Sequence, residues 1–265
     1  MINPKKSLGQ NFLIDQNVVK KILSFVKVEN NNIIEIGPGT GSLTNKIIKN
    51  NPKSLILIEK DFNLFKKIKQ KYRDEKNLSI INDDILKFDL EEKIKNNSTI
   101  IGNLPYNISS QILIKLISFN HWPPKYKRLI LMFQKEVADK LIAKFNTSKY
   151  GRLTIISNYR LKVINHFNVS KNCFFPKPKV ESTVLIFEPI KNTKYNFKNI
   201  KNLELITHEF FSKRRKMINK VFKKLFLDYE KVAKKLNINL NVRPIKLNED
   251  KFYKIVKFYE SQKFI

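Results

Sequence analysis

Glycines, carboxylates and an amide follow four apolar runs of this sequence, at the point where each run ends. The first is "EIGPGTG" (35–41), in which Gly37, Gly39 and Gly41 allow a sharp turn and a close approach of the backbone to a ligand. The helix that begins beyond it would offer N–H groups without intrahelical partners. Because the spacing is G-x-G-x-G, without the full dinucleotide fingerprint, a purely structural turn stays an alternative.

Carboxylates stand at the next two run ends. Glu59 closes "LILIE" 22 residues after Gly37, where a carboxylate can accept both hydroxyls of a ribose, in an NAD site or in another nucleoside site. "INDDIL" (81–86) then gives Asp84, which could accept from the exocyclic amine of an adenine, whereas Asp83 is interpreted as a solvated loop residue. Together the three run ends predict a nucleoside site.

The fourth run, "STIIGN" (98–103), continues into Leu104, Pro105 and Tyr106. A simple strand-to-helix turn explains Asn103 and Pro105 but not the aromatic residue. Pro105 fixes its own φ and biases Leu104 away from the helical region, so that the Leu104 carbonyl keeps one direction. Taken alone, "NLPY" supports a turn and a binding site equally, and the three preceding run ends favour the site.

The elements that must position these residues follow from the apolar pattern. We predict strands at 32–37, 54–60, 77–83, 98–103, 128–136, 153–167 and 182–190, and helices at 18–28, 42–50, 61–72 and 109–119. Nearly continuous apolar strands that alternate with helices indicate a parallel sheet covered on both faces, and ligands bind at the carboxyl ends of such strands. The last strands follow one another without a helix, which predicts an antiparallel edge.

The pattern changes after Pro189. Residues 190–265 show no convincing strand, and we predict three or four helices there, including 202–225 and 249–262. This segment has 20 basic and 7 acidic residues. The sequence therefore predicts an α/β domain at 1–190 and a small all-α basic domain at 191–265.

Composition restricts the partners. The formal charge is +29, with 52 basic against 23 acidic residues, which favours a polyanion such as nucleic acid. Lysine supplies 45 of the basic residues, a bias that an AT-rich genome could also produce. A single cysteine, Cys173, excludes an internal disulfide and a Cys-rich zinc site. We find no signal peptide and no apolar run of about 18 residues, so we expect a cytoplasmic protein that does not span a membrane.

The strand-end pattern resembles the S-adenosylmethionine (AdoMet) site of Rossmann-like methyltransferases, and "NLPY" resembles the [N/D/S]-P-P-[Y/F/W] element of enzymes that methylate adenine N6. The exocyclic amine of a purine is a poor nucleophile because its lone pair is delocalised into the ring. Acceptors at the Asn103 side chain and the Leu104 carbonyl would localise that lone pair, and Tyr106 would stack on the base. This resemblance implies no metal.

Eight segments in order resemble the KsgA-type small-subunit rRNA adenine N6,N6-dimethyltransferases over nearly the whole chain: "GQNFLID", "EIGPGTGSLT", "IEKD", "NDDIL", "GNLPYNIS", "FQKEVADKL", "FFPKPKVESTV" and "SKRRKMI". The family implies a class I AdoMet-dependent fold with a mostly parallel seven-stranded sheet. The AdoMet contacts implied by the resemblance are Asn11, Leu13, Gly37, Glu59, Asp84 and Asn103. Phe175 would form the second wall of an adenine clamp opposite Tyr106.

The resemblance also implies a substrate and its setting. Family members dimethylate two adjacent adenosines in a hairpin loop near the 3′ end of small-subunit rRNA, within an immature 30S particle, and we expect a monomer. Three alternatives stay open: a large-subunit rRNA methyltransferase of the macrolide-resistance type, a DNA adenine methyltransferase, and an assembly or transcription factor without enzymatic activity. The context of "FFPKPKV" and "SKRRK" favours the small-subunit enzyme.

Overall fold

Apolar, mostly β-branched runs build the central sheet. The computed structural model describes residues 4–5 and 8–262; residues 1–3, 6–7 and 263–265, which the two predicted domains include, lie outside this description. Two short strands, β1 and β8, pair separately, and seven strands form the sheet in the order β4-β3-β2-β5-β6-β9-β7. The strands are β1 (Phe12–Leu13), β2 (Asn32–Ile36), β3 (Ser54–Glu59), β4 (Leu78–Asn82), β5 (Ser98–Asn103), β6 (Tyr126–Gln134), β7 (Leu161–Val169), β8 (Phe174–Phe175) and β9 (Ser182–Pro189).

The sheet is mostly parallel, as the sequence predicts. Strands β4, β3, β2, β5 and β6 run parallel to their neighbours, and β9 pairs antiparallel with β6. The central strands are shielded from solvent, since Ile33, Ile100 and Ile101 are fully buried. Because β2 and β5 are neighbours at the centre, the ends of β4, β3, β2 and β5 meet along one edge.

The chain forms two compact units. The first contains the described residues up to Ala138 and Lys162–Pro189; the second contains Asp139–Leu161 and the described residues from Ile190 onward. The chain passes from the first unit to the second at residue 139, returns at residue 162 and passes to the second again at residue 190. Residues 139–161, which the sequence pattern assigns to the first domain, belong to the second unit instead.

Eleven α-helices accompany the strands within the described residues: α1 (Gln16–Leu23), α2 (Ser42–Ile48), α3 (Phe62–Lys71), α4 (Leu90–Lys93), α5 (Ser109–Ile117), α6 (Lys135–Leu141), α7 (Arg152–Arg160), α8 (Lys201–Ser212), α9 (Asn219–Leu225), α10 (Tyr229–Lys235) and α11 (Glu249–Gln262). The prediction of helices without a strand after residue 190 is confirmed within that part of the chain. No helix in residues 4–5 and 8–262 is long and apolar enough to cross a membrane.

The predicted strand at 153–167 is wrong in its first half. Residues 152–160 form α7, and the strand β7 begins only at Leu161. Thr154, Ile155, Ile156, Ser157 and Tyr159 are all buried, so this helix has no polar face whose period could reveal it. Its β-branched residues favour a strand by propensity, and packing overrides that preference.

The predicted single helix at 202–225 is also wrong, because it is interrupted between α8 and α9. The interruption contains "KRRK", and contacts within the second unit hold its turn. Arg214 donates to the carbonyl oxygens of Ser148 and Tyr150. The backbone N–H of buried Ile218 donates to the Val242 carbonyl at 3.0 Å.

Candidate active site

One cavity opens at the carboxyl ends of β2, β3, β4 and β5, entirely within the first unit. Nine of the ten predicted site residues line it: Asn11, Leu13, Gly37, Glu59, Asp84, Asn103, Leu104, Pro105 and Tyr106. The tenth, Phe175, is not among its lining residues and is 58% exposed. Strand order explains why four positions spread over 67 residues of sequence, from Gly37 to Asn103, meet in one place.

The glycine loop between β2 and α2 uses left-handed backbone conformations. Gly37 and Gly39 have φ of 67° and 59°, which other residues rarely adopt. A Cβ at Gly39 would lie 2.9 Å from Cδ1 of Phe12, so a side chain there would collide with the N-terminal segment. The loop therefore needs glycine at position 39 to let the backbone and Phe12 come together.

Glu59 is fixed by two backbone donors. Its Oε2 accepts from the N–H of Gly39 at 3.1 Å and its Oε1 from the N–H of Asp61 at 2.8 Å. The carboxyl is nearly buried, and burial raises its pKa while these hydrogen bonds oppose the rise. Each carboxylate oxygen has a second lone pair, so a carboxylate held in this way can still accept ligand hydroxyls.

Asp84 stays acidic at the end of β4. Its Oδ2 pairs with the Lys60 ammonium at 2.9 Å and its Oδ1 accepts from the Leu86 N–H at 3.0 Å. The Lys60 hydrogen bond holds the pKa of Asp84 below its usual range. Asp83, which we interpret from sequence as a solvated loop residue, is only half-exposed, lines the cavity and accepts from the Asp84 N–H at 2.6 Å.

Asn103 ends β5 with its amide oriented. Its Nδ2 donates to the backbone carbonyl of Asn11 at 2.8 Å, which assigns the other branch of the amide, Oδ1, as the acceptor. Leu104 is 1% exposed. A Cβ on Gly102 would lie 2.7 Å from Cδ2 of Leu104, so this side chain fills the space above Gly102. The Leu104 side chain therefore belongs to the core.

Tyr106 is held through its hydroxyl. The Tyr106 OH and the Ser182 Oγ lie 2.5 Å apart, and burial raises the pKa of the phenol. Ser182 begins β9, and Phe175 ends β8, so these two residues bound the same loop at 176–181. Tyr106 is thus bonded to one end of the loop whose other end carries Phe175.

The N-terminal segment contacts the site through a short ribbon. Strand β1 pairs antiparallel with β8, with Phe12 opposite Phe175 and Leu13 opposite Phe174. The Leu13 side chain is 3% exposed and belongs to the core cluster, while its carbonyl accepts from the Ser42 Oγ at 2.5 Å. Leu13 lines the cavity although its side chain packs into the core.

The sequence pattern alone misses five residues that organise this site: Gln10, Glu35, Ser42, Asp61 and Ser182. Glu35 is fully buried below the glycine loop, accepts from the Thr44 hydroxyl at 2.7 Å, and burial raises its pKa to about 7. The available signal was an acidic residue in an otherwise apolar strand, "NIIEI". Among residues 4–5 and 8–262, no group of three or more His, Cys, Asp or Glu side chains is arranged to hold a metal ion.

Comparisons with known proteins agree over nearly the full length. The sequence profile of the ribosomal RNA adenine dimethylase family matches residues 1–261. The chain is 46% identical to ribosomal RNA small subunit methyltransferase A of Pelagibacter ubique, with 98% of each chain covered, and 40% identical to the protein of the same name from Mycoplasma mobile, with 97% and 98% covered.

Solved structures are similar as well. A dimethyladenosine transferase from Plasmodium falciparum superposes with a TM-score of 0.76 at 27% identity, covering 95% of this chain and 98% of that one. The 23S rRNA methyltransferase ErmE superposes with a TM-score of 0.68 at 18% identity, with 94% and 100% covered, which shows a common fold. Both agree with a class I methyltransferase architecture.

Proposed function

The chain belongs to the ribosomal RNA adenine dimethylase family and is an AdoMet-dependent rRNA adenine dimethyltransferase, and on that premise we propose a specific substrate. The substrate is two adjacent adenosines in the 3′-terminal hairpin loop of small-subunit rRNA, each converted to N6,N6-dimethyladenosine. The reaction takes place in the cytoplasm on an immature 30S particle, with the enzyme as a monomer. Two relatives named as small-subunit methyltransferases, at 46% and 40% identity, support this choice of RNA.

The donor-facing residues fit AdoMet by their chemistry. Glu59 would accept the ribose hydroxyls, because its carboxylate is already fixed by the N–H groups of Gly39 and Asp61. Asp84, kept ionised by Lys60, would accept from the adenine amine. A Cβ added at Gly37 would have the backbone oxygen of Asn103 as its nearest neighbour, at 3.9 Å. The space beside the Gly37 backbone is therefore open to a ligand. When bound, AdoMet supplies an electrophilic methyl group on its sulfonium.

Asn103 is the residue that we propose binds the amine of the target adenine. Its Oδ1 and the Leu104 carbonyl would accept the two N–H bonds of the adenine amine and direct its lone pair toward the methyl group. The observation that supports this role is the hydrogen bond from Asn103 Nδ2 to Asn11, since it fixes which end of the amide accepts. Correct placement of the two reactants can lower the activation free energy of such an in-line displacement by on the order of 7–11 kcal/mol.

Tyr106 and Phe175 would hold the base between them. Ser182 fixes the Tyr106 ring through its hydroxyl, and the exposed ring of Phe175 offers a second aromatic face. Base–aromatic stacking contributes about 1–3 kcal/mol per base. We expect the adenine to leave its stack before it enters, as for other enzymes that modify a base.

The basic residues from Ile190 onward would dock on rRNA phosphates. Lys213, Arg215 and Lys216 are exposed in the turn between α8 and α9. Arg214 has a structural task in the same turn, since it donates to the Tyr150 carbonyl at 3.1 Å. Arg214 is exposed as well, but because its guanidinium is engaged within the protein, we assign the electrostatic part of RNA binding to Lys213, Arg215 and Lys216.

The decisive experiment is methyl transfer from radiolabelled AdoMet to 30S particles that lack dimethyladenosine, followed by mapping of the modified nucleotides. We expect label at two adjacent adenosines in the 3′-terminal hairpin, and none with fully methylated 30S particles. Label in large-subunit rRNA or in duplex DNA would favour the corresponding alternative. Failure of the purified protein to bind AdoMet would favour a role in ribosome assembly without catalysis.

A further inference from the structure

Four consecutive residues, Gln10 to Leu13, are each fastened to a different part of the site. Gln10 Nε2 donates to Asp61 at 3.0 Å, and the Asn11 carbonyl accepts from Asn103 at 2.8 Å. Phe12 packs over Gly39, and the Leu13 carbonyl accepts from Ser42 at 2.5 Å. We call residues 8–13 the strap. It is fixed to the loops that follow β2, β3 and β5, which are the loops that the donor site uses.

Asp61 is the least expected of these anchors. Its Oδ1 accepts from the N–H groups of Asn63 and Leu64 and so caps the N-terminus of α3. Its Oδ2 accepts from Gln10 and pairs with the Lys5 ammonium at 3.0 Å. A helix cap needs one acceptor oxygen, so capping alone does not explain the contacts of the second.

The hydrogen bonds around Asp61 form a connected network that includes Lys5, Gln10 and Glu59. The Lys5 backbone N–H donates to Gln10 Oε1 at 2.8 Å, so Gln10 accepts from the N-terminal backbone and donates to Asp61. The Asp61 N–H donates to Glu59 at 2.8 Å. Burial raises the pKa of Asp61, but the hydrogen bonds from Lys5, Gln10, Asn63 and Leu64 hold it below its usual range. One residue thus joins the strap to the proposed ribose acceptor.

We propose that Asp61, Gln10 and Lys5 form a latch that holds the strap closed over the methyl donor, which makes them positioning residues for donor binding. This inference rests on the proposed donor site. Segments that close over a substrate exclude water and complete the site, and their closure also governs release. With the latch intact, closure orders few additional groups, because the strap is already fixed at residues 10 to 13. Without it, donor binding must order the strap.

The variants separate the latch from the helix cap. Asp61→Asn keeps an acceptor oxygen for α3 and removes the charge that Lys5 requires. Gln10→Leu removes the hydrogen bond from the strap to Asp61. It leaves both the α3 cap and the hydrogen bond from Asp61 to Glu59 in place. Lys5→Met should have a smaller effect, because its side chain is 45% exposed. Asp89→Asn is the matched control, since Asp89 caps α4 by accepting from Glu92 at 3.3 Å and takes no part in the latch.

Three measurements apply to each variant: AdoMet affinity by titration calorimetry, kcat and the KM for AdoMet, and hydrogen exchange of the strap amides. For Gln10→Leu and Asp61→Asn we expect the Kd and KM for AdoMet to rise about tenfold, kcat at saturating AdoMet to change less than about threefold, and strap exchange to accelerate. Asp89→Asn should match the wild type in all three measurements.

Two outcomes bear on different conclusions. If the wild type binds AdoMet and both latch variants bind it equally well with unchanged strap exchange, the latch is refuted and the proposed function stands. If the wild type does not bind AdoMet, the proposed function fails, and the donor role of the latch fails with it. Strap exchange in the donor-free protein still shows whether Gln10 and Asp61 hold the segment.

Discussion

At the residue scale, one hydrogen bond orients the side-chain amide of Asn103. Asn103 donates from Nδ2 to the Asn11 carbonyl, so the strap and the proposed catalytic amide are in direct contact. This hydrogen bond orients the Asn103 side chain and also holds the backbone of Asn11 in place. Mutation at position 103 should therefore affect the chemistry and also remove one of the four contacts that hold the strap.

We predict that Asn103→Ala lowers the rate of methyl transfer by roughly 100-fold or more, the size expected when one preorganised hydrogen-bonding group at a reacting atom is lost. AdoMet affinity should fall by less than about tenfold, since Glu59 and Asp84 keep their partners. Single-turnover rates and calorimetric titration measure the two effects. Unaltered turnover would refute the role given to Asn103.

Glu35 should make the stability of the protein depend on pH. Burial raises its pKa from 4.5 to about 7, so the folded state binds a proton more tightly than the unfolded state does. The stabilisation from this group is therefore complete below pH 4.5 and is lost as the pH rises through about 7. Above pH 7 its cost to the folded state is on the order of 3 kcal/mol.

Glu35→Gln should remove this dependence while keeping an acceptor for the Thr44 hydroxyl. We predict that the difference in free energy of unfolding between variant and wild type increases from pH 4.5 to about 7 in favour of the variant, then stays constant. Urea denaturation across this range gives the measurement. A difference that does not change with pH would contradict the buried, titrating carboxyl.

Sequence reasoning finds residues that line the cavity and misses those that hold them in place. Glu59, Asp84 and Asn103 follow apolar runs, so their position on a parallel sheet determines their place at one edge. Asp61 and Glu35 act through partners 51 and 9 positions away, Gln10 and Thr44. No local spacing encodes such pairs, because packing in three dimensions creates them.

At the element scale, the end of β5 shows how tightly a strand and the following residues can be matched. A Cβ at Gly102 would lie 2.7 Å from Leu104 Cδ2 and 3.1 Å from the Ile36 carbonyl oxygen. Leu104 is 1% exposed, so a methyl group added at Gly102 would displace a packed side chain. The direction of the Leu104 carbonyl, which the proposed mechanism uses, thus depends on the absence of a side chain two residues earlier.

We predict that Gly102→Ala destabilises the protein by about 1–3 kcal/mol through overpacking, and that Leu104→Ala does so by about 2–5 kcal/mol through a cavity. The double variant should lose less than the sum of these values, because the new methyl group occupies space that Leu104 vacates. Urea denaturation of the four proteins completes the cycle. Strict additivity would show that the two positions do not share this space.

Two elements could not be predicted because tertiary contacts decide them. Helix α7 is buried nearly all round, so its sequence carries no 3.6-residue period, and its β-branched residues resemble a strand. The break between α8 and α9 contains neither Gly nor Pro. It is maintained by Arg214 and by the hydrogen bond from Ile218 to Val242, partners that are distant in sequence. The parallel strands were predictable because their runs are long and continuously apolar.

At the scale of the whole molecule, the net charge of +29 governs the encounter with RNA. Neutralised phosphates release counterions, so affinity should fall steeply as salt rises. We predict that affinity for 30S particles falls by about tenfold or more between 50 and 200 mM salt. Affinity for AdoMet, whose site depends on short contacts, should change much less. A flat salt response of 30S binding would contradict the electrostatic role of the lysines.

The turn between α8 and α9 offers a matched pair of charge variants. Arg215→Gln should weaken RNA binding and reduce the magnitude of the salt slope by about 1, with stability unchanged. Arg214→Gln should instead cost about 1 kcal/mol of stability, because Arg214 donates to the carbonyls of Ser148 and Tyr150. Filter binding and urea denaturation distinguish them. Equal effects of both variants on RNA binding would show that Arg214 is not reserved for structure.

The pairing of β1 with β8 has a consequence for the order in which the protein is made. Phe12 emerges early from the translating ribosome, but its partner Phe175 follows 163 positions later. At about 5–20 residues per second this delay is roughly 8 to 30 s. The residues of strands β2 to β5 are all synthesised by position 103, well before β1 has its partner β8. Glu59 and Asp84 are therefore synthesised early, but the pair of β1 and β8 can complete the wall of the cavity only near the end of synthesis of the first unit.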